Sequence, residues 1–274
     1  RYFGAFMAEE SVDGTFLSAN VYGVGCNVNC YYCASLIRDY NEGYVPDINL
    51  KYNKKSNIKS GYYSPKELLE VFLKIAKDPF KFGSPTPHIE VTQFAILDCE
   101  TTIGIEYVFD LLVLLKEHNE KNNTRYVFSL FTNGIILGSS DDLMHRLSEY
   151  KDYLNVRLSL KGGTAEEFAN RIDVLPRFFE SPYHTIKKCI DLGIDCYVAV
   201  LNDPAIMTRE EFDKIKDKLQ SINYKNGILE EKLVMSRGCI KRLHDHHRKY
   251  PEYQYNFYFR KNFWIISCDD RDCH

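Results

Sequence analysis

Three cysteines stand within eight residues of one another in the run Cys26-Asn27-Val28-Asn29-Cys30-Tyr31-Tyr32-Cys33. Thiolates at a C-x3-C-x2-C spacing can wrap three corners of an iron–sulfur cube. A cube with no exchangeable site usually takes four cysteines, so three leave one iron open to a ligand that is not protein. Two other readings compete. Zinc normally recruits its ligands from paired short motifs, and no convincing second C-x2-C occurs here. Three unligated thiols would be odd inside a loop that opens on Gly23-Val24-Gly25. A [4Fe–4S] cluster is therefore the favoured reading.

The other candidates are weaker. Nine cysteines make an odd count. A secreted disulfide framework fits poorly, and reduced thiols suit a cytoplasmic compartment. Cys99, Cys189 and Cys196 lie on apolar segments and read as small fillers. Cys239, Cys268 and Cys273 fall outside the expected core at spacings poor for a second cluster, and unligated thiols are expected there. His244, His246 and His247 sit among Lys241, Arg242, Arg248 and Lys249 and read as a basic surface rather than a metal site. A net charge of −3 carries no strong message about polyanions. No apolar run reaches the roughly 18 residues that span a bilayer, so no membrane partner is expected. No signal peptide is legible in a chain that starts at Arg1.

The elements around the cysteines must hold them in place. A strand-like run, Thr15 to Tyr22, leads into the cysteine loop. Ser64-Pro65-Lys66-Glu67 has the form of a capping box with proline in the first turn, and apolar residues at helical spacing follow to Ile75. Strands are then expected at Ile89–Leu97, Tyr126–Phe131, Leu154–Leu160 and Cys196–Leu201, with a sixth at Lys232–Met235. Helices are expected at Ile103–His118, Asp141–Tyr150 and Arg209–Leu219. A further helical region, Thr164–Leu192, breaks near Pro176 and Pro182. Strands alternating with helices imply parallel βαβ units. The fold class is thus α/β, a partial (β/α)6 TIM-like barrel with a short C-terminal extension. The core barrel is expected over residues 1–238, with an inserted loop at 40–63, and the extension over 239–274. In such a barrel the functional groups gather where strands end.

With the cysteine loop following the first strand of a βα series, and an aromatic at position 32, the sequence resembles the radical S-adenosylmethionine (SAM) superfamily, from about Thr15 to Met235. The resemblance implies two cofactors, a [4Fe–4S] cluster and SAM. It implies that SAM chelates the open iron through its amino and carboxylate groups. Reductive cleavage then yields methionine and a 5′-deoxyadenosyl radical that abstracts hydrogen from a substrate. The protein aims this chemistry and excludes water. An electron donor such as flavodoxin or ferredoxin is implied as partner.

The resemblance carries over position by position. The family's second strand often ends Gly-Gly-Glu-Pro, which meets the SAM amino group; here Asp98-Cys99-Glu100-Thr101 keeps only the Glu. Thr132-Asn133-Gly134 ends the next strand, as in many members. Ser159-Leu160-Lys161-Gly162-Gly163 ends the fourth, where glycyl-radical activating enzymes read Asp-x-Lys. Strand Tyr197–Leu201 places apolar groups, Val200 among them, against adenine. The implied cofactor-binding residues are therefore Tyr32, Glu100, Thr132, Asn133, Ser159, Lys161 and Val200, with Cys26, Cys30 and Cys33 on the metal. Taken alone, Glu100 also reads as the cap of a helix start, Asn133-Gly134 as a turn, and Lys161 as a loop lysine whose glycines approach a ligand.

Within the superfamily the chain resembles the minimal pyruvate formate-lyase activating enzyme group and related archaeal proteins. Ala34-Ser35 stands where the activating enzymes read His-Asn. A protein or peptide substrate is expected first, a nucleoside or small metabolite second, and a non-catalytic electron-transfer or sensing role third. The polar loop from Tyr40 to Tyr63 is long for a βα connection and reads as a lid beside the site. The aromatic tail from Tyr250 to Trp264 is the other candidate for substrate contact.

Overall fold

The computed structural model describes residues 2–10, 17–35, 61–84, 89–233, 237–249, 256–260 and 263–267. Six strands run parallel in the order β2 (Leu17–Gly23), β4 (Val91–Leu97), β5 (Val127–Thr132), β6 (Leu154–Leu160), β7 (Asp195–Leu201) and β8 (Ile228–Glu231). Two strands extend the sheet beyond β2. β1 (Tyr2–Glu10) pairs antiparallel to β2, and the two-residue β3 (Gly61–Tyr62) pairs antiparallel to β1. The sheet is curled but not closed, because β3 and β8 stand at its two ends. This is the half-barrel expected from the alternating pattern.

The strands explain why the sheet is covered on one side only. Leu154-Asn155-Val156-Arg157-Leu158-Ser159-Leu160 alternates between buried apolar and half-buried polar residues. Parallel strands covered on both faces are usually apolar throughout. Here Ile96, Phe128, Leu130, Val156, Leu158 and Val198 are fully buried. The opposite, concave face carries Gln93, Ser129 and Asn155, which hydrogen-bond in a ladder across β4, β5 and β6.

The helices take the apolar face. Helix α1 (Pro65–Lys77) begins with the capping box read from sequence: the Glu67 amide donates to Ser64 Oγ at 3.3 Å, and the Ser64 amide to Glu67 Oε2 at 2.8 Å. Its Phe72 stacks on Phe94 of β4, which stacks in turn on Tyr126, with centroids 4.9 and 4.7 Å apart. Burying such a side chain stabilises by roughly 1.5–3 kcal/mol. The layer continues with α2 (Ile105–Asn122), α3 (Ile135–Gly138), α4 (Asp141–Ser148), α5 (Ala165–Ile172), α6 (Glu180–Leu192) and α7 (Arg209–Ser221), while α8 (Arg237–Lys249) lies apart from it, against the cysteine loop. No described helix is long and apolar enough to cross a membrane.

Three sequence expectations shift. The last parallel strand is Ile228–Glu231, ahead of the expected Lys232–Met235. The turn before it fixes the early start, because Tyr224 Oη accepts from the Val198 amide at 2.9 Å and Asn226 Nδ2 donates to Cys196 O at 2.9 Å. Pro182 does not break a helix. It lies in the first turn of α6, where a missing N–H is tolerated. Cys239 is not outside the core: it is fully buried beneath the cysteine loop.

The tail contributes a hairpin, β9 (Asn256–Arg260) with β10 (Phe263–Ser267), in register Trp264↔Phe259. Residues 40–60 of the expected lid, and Cys268 and Cys273, lie outside the described residues.

Candidate functional site

The concave face opens into a cavity of about 740 Å³ at the C-terminal ends of the parallel strands. Cys26, Cys30 and Cys33 line it, together with Tyr32, Glu100, Thr132, Asn133, Ser159 and Lys161. Of the residues singled out from sequence, only Val200 is elsewhere. It is fully buried and registers against Leu160, on the helix-facing side. Side chains alternate along a strand, so the cavity receives its neighbour Leu201 instead.

The cysteine loop is held from several directions. It leaves β2 through Gly25, whose φ of 105° suits a residue without Cβ, and Gly25 O accepts from the Glu100 amide at 2.8 Å. The C-terminal turn of α5 presents unsatisfied carbonyls. Ile172 O accepts from the Asn29 amide at 2.8 Å, and Arg171 O from the Tyr31 amide at 3.3 Å. Asn133 Nδ2 donates to Asn27 Oδ1 at 2.7 Å. From the far side, α8 places Cys239 and Arg242 against the loop backbone.

Glu100 is 2% exposed and ties two strand ends together. It accepts from the Thr102 amide at 3.3 Å, from Thr132 Oγ1 at 2.7 Å and from the Asn133 amide at 2.7 Å. It does cap the short 3-10 turn Thr101–Gly104, and it lines the cavity as well. Thr132 and Asn133 are largely occupied in building this end of the cavity, since their side chains also accept from the Gly134 and Ile135 amides at 3.0 Å.

Lys161 places its ammonium 5.8 Å from the Tyr32 ring centroid and forms no ion pair among the described residues. The two glycines after it pack closely against the protein itself. A Cβ on Gly162 would lie 2.6 Å from the Phe168 nitrogen, and one on Gly163 2.5 Å from Glu211 O. They are small because α5 and α7 press against them. Beneath them, buried Arg171 pairs with Glu211 and donates to Lys161 O at 2.8 Å and Ile206 O at 2.7 Å.

The donor set fits a metal cluster. Burial first, and then the neighbouring Cys30 and Glu100, push the Cys26 thiol up to about 11, while a bond from the Val28 backbone and the charge of Lys161 oppose the rise. A bound metal would deprotonate its thiol ligands. Among the described residues no three His, Cys, Asp or Glu side chains are set to hold a single ion. Three thiols lining one cavity from one loop suit a group that spans them. The buried hydroxyl of Tyr32 has no partner among the described residues. Burial holds its pKa well above the ordinary phenol range, so it remains a donor at a cavity wall. The three histidines of α8 do not converge: His244 and His246 are about 160° apart around a helix, and His246 stacks on Tyr31.

Sequence reasoning missed Arg242, Cys239, Arg171 and Glu211. The last pair left a trace, since Glu211 follows Thr208 as a capping-box glutamate would yet is 2% exposed.

The family model described as the radical SAM superfamily matches residues 20–219. No curated protein matches the chain. Among solved structures, Streptococcus suis SuiB bound to S-adenosylmethionine aligns over 86% of this chain and 49% of its own, with 16% identity and a TM-score of 0.53. The protein anSMEcpe with bound AdoMet aligns over 79% of this chain and 50% of its own, with 20% identity and a TM-score of 0.51. The chain thus spans about half the length of these structures, which share its fold.

Proposed function

We propose, from the premise that the chain belongs to the radical SAM superfamily, that it cleaves SAM reductively and uses the product radical to modify a substrate. One observation carries the reading: Cys26, Cys30, Cys33, Tyr32, Glu100 and Lys161 line a single cavity at the strand ends of a half-barrel. Cys26, Cys30 and Cys33 would hold a [4Fe–4S] cluster. When bound, that cluster supplies the electron that splits SAM into methionine and a 5′-deoxyadenosyl radical, and leaves one iron for a non-protein ligand.

The chain's own residues orient and shield. Glu100, fixed by Thr132 and the Asn133 amide, offers a buried carboxylate to the SAM ammonium. Lys161 offers a cation to the SAM carboxylate, and Tyr32 a buried hydroxyl. Leu201 takes the apolar place against adenine first assigned to Val200. SuiB, which has the same fold, is seen with S-adenosylmethionine bound, which supports this use of the cavity. The electron comes from a flavodoxin or ferredoxin in a reducing cytoplasm. The substrate is a protein or peptide, as for the activating enzymes the sequence resembles. A sheet that ends at β8 without closing leaves a side by which a chain can enter.

The test is anaerobic reconstitution. The native chain should hold about four irons and, with SAM and dithionite, release 5′-deoxyadenosine. The Cys26→Ala/Cys30→Ala/Cys33→Ala variant should do neither. Full iron content in that variant would refute the cluster assignment. A loaded native chain that never cleaves SAM would point to electron transfer instead.

A further inference from the structure

Residues 239–274 were expected to form an extension packing on the core, and one face of helix α8 closes the cysteine loop. Cys239, Arg242 and His246 follow at spacings of three and four residues, which place them on one stripe of a helix. Cys239 Sγ lies 3.3 Å from Tyr32 O. Arg242 Nε donates to Cys33 O at 3.1 Å, and Nη2 donates to Ser35 O at 3.0 Å and also reaches Cys33 O. The His246 ring stacks on Tyr31 with centroids 3.9 Å apart. Leu243, between them, is fully buried. The contacts cover Tyr31 to Ser35, the part of the loop that carries the third cysteine.

We propose that Arg242 is a positioning residue for the cluster, fixing the backbone of Cys33 and Ser35 and setting a permanent positive charge beside the third ligand. This rests on the reading of the loop as a cluster site. A carbonyl only accepts, and two carbonyls turned toward one helix need donors. A planar guanidinium serves both from one group, whereas a lysine is a single point charge. The charge has a second effect. Reduction adds an electron to the cluster, and a nearby cation favours the reduced form; net charge and hydrogen bonding are among the terms that set such potentials. Asp98, whose carboxyl feels the Arg242 charge, offsets part of it. Lys241 and Asp245 of the same helix also line the cavity and carry opposite signs.

The experiment compares R242Q and R242K with the native chain. In the apo chain, amide hydrogen exchange over residues 29–35 should rise roughly tenfold in R242Q, as expected for the loss of charge-assisted hydrogen bonds, and also rise in R242K. In the reconstituted chain, a redox titration followed by electron paramagnetic resonance reads the midpoint. R242Q should shift the reduced-to-oxidised ratio roughly tenfold toward oxidised, about 59 mV downward for one electron. R242K keeps the charge and should keep the midpoint. Native exchange and native midpoint in R242Q would overturn the proposal, as would a midpoint in R242K that falls as far as in R242Q. If R242Q does not fold, R242K decides: faster exchange at a native midpoint supports the proposal, and native exchange overturns it. If the native chain takes up no iron, the cluster reading fails, and the exchange data on the apo chain still decide whether Arg242 holds the loop.

Discussion

Glu211→Gln should be among the most damaging single substitutions that change no shape. Arg171 is 6% exposed and Glu211 2%. The carboxylate pairs with the guanidinium through both oxygens and accepts from the Gly163 amide at 3.0 Å. Glutamine keeps the volume but turns one oxygen into a donor facing a donor, and it leaves the Arg171 charge buried without a counter-charge. Removing one partner of a buried pair costs about 3–5 kcal/mol, a large share of the roughly 5–15 kcal/mol that holds a domain together. At about 2–4 °C per kcal/mol for a domain of 150–250 residues, the melting temperature should fall by roughly 6–20 °C. Urea unfolding of the apo chain, followed by circular dichroism, gives the free energy directly. The double variant Arg171→Met/Glu211→Leu removes both charges, so it should recover part of the loss. It cannot recover all, because Lys161 O, Ile206 O and the Gly163 amide lose partners worth about 1–3 kcal/mol each when buried. A loss below about 1 kcal/mol in Glu211→Gln would refute the reasoning and make the pair a bystander.

Glu100→Gln should weaken SAM binding by about 1.5–3 kcal/mol, the worth of a charge-assisted bond; anaerobic calorimetry with an unchanged affinity would reduce Glu100 to a strand tie. Gly138→Ala should destabilise by about 1–3 kcal/mol or more, since the added carbon would lie 1.9 Å from Ser181 O; a native melting temperature would show that α3 and α6 can part freely. Burial lifts the Asp98 carboxyl from 3.8 to about 6, with Ser35 and Arg242 opposing and Glu9 adding to the lift. A raised folded-state value contributes stability that is complete below about pH 4 and lost as pH rises through 6. Asp98→Asn keeps a residue type that tolerates the φ of 63° found there, should flatten that decline, and should exceed the native chain at pH 7.5 by at most about 3 kcal/mol. Equal slopes in melting scans between pH 4.5 and 7.5 would contradict it.

Local signals in the sequence reached the parallel strands and the cavity residues at their ends. Strand Leu154–Leu160 was legible to the residue because its alternation is strict, and α1 because its capping box is complete. What failed depends on contacts between distant segments. Val200 lies on an apolar run whose inward and outward faces look alike; only its register against Leu160 assigns it a side. Gly162 and Gly163 signal that something comes close, but not that it is Phe168 and Glu211. Arg242 looked like one member of a basic run, and nothing within ten residues of it hints at Cys33. β1 was not assigned at all; pairing with β2 rather than a local pattern places it in the sheet.

The loop carrying the cysteines and the helix that covers them stand 207 to 209 residues apart at their contacts. During synthesis at roughly 5–20 residues per second, the cysteines leave the ribosome roughly 10–40 s before Cys239 and Arg242 can reach them. Only in about the last third of that interval, once Arg171 and Ile172 have been made, can the loop have its contacts to Glu100, Asn133 and α5 while still lacking this one. Once α8 docks, the loop backbone from Tyr32 to Ser35 is covered, while Cys26 stays exposed. Slow translation between residues 220 and 237 would lengthen the time for which the loop stands without this cover.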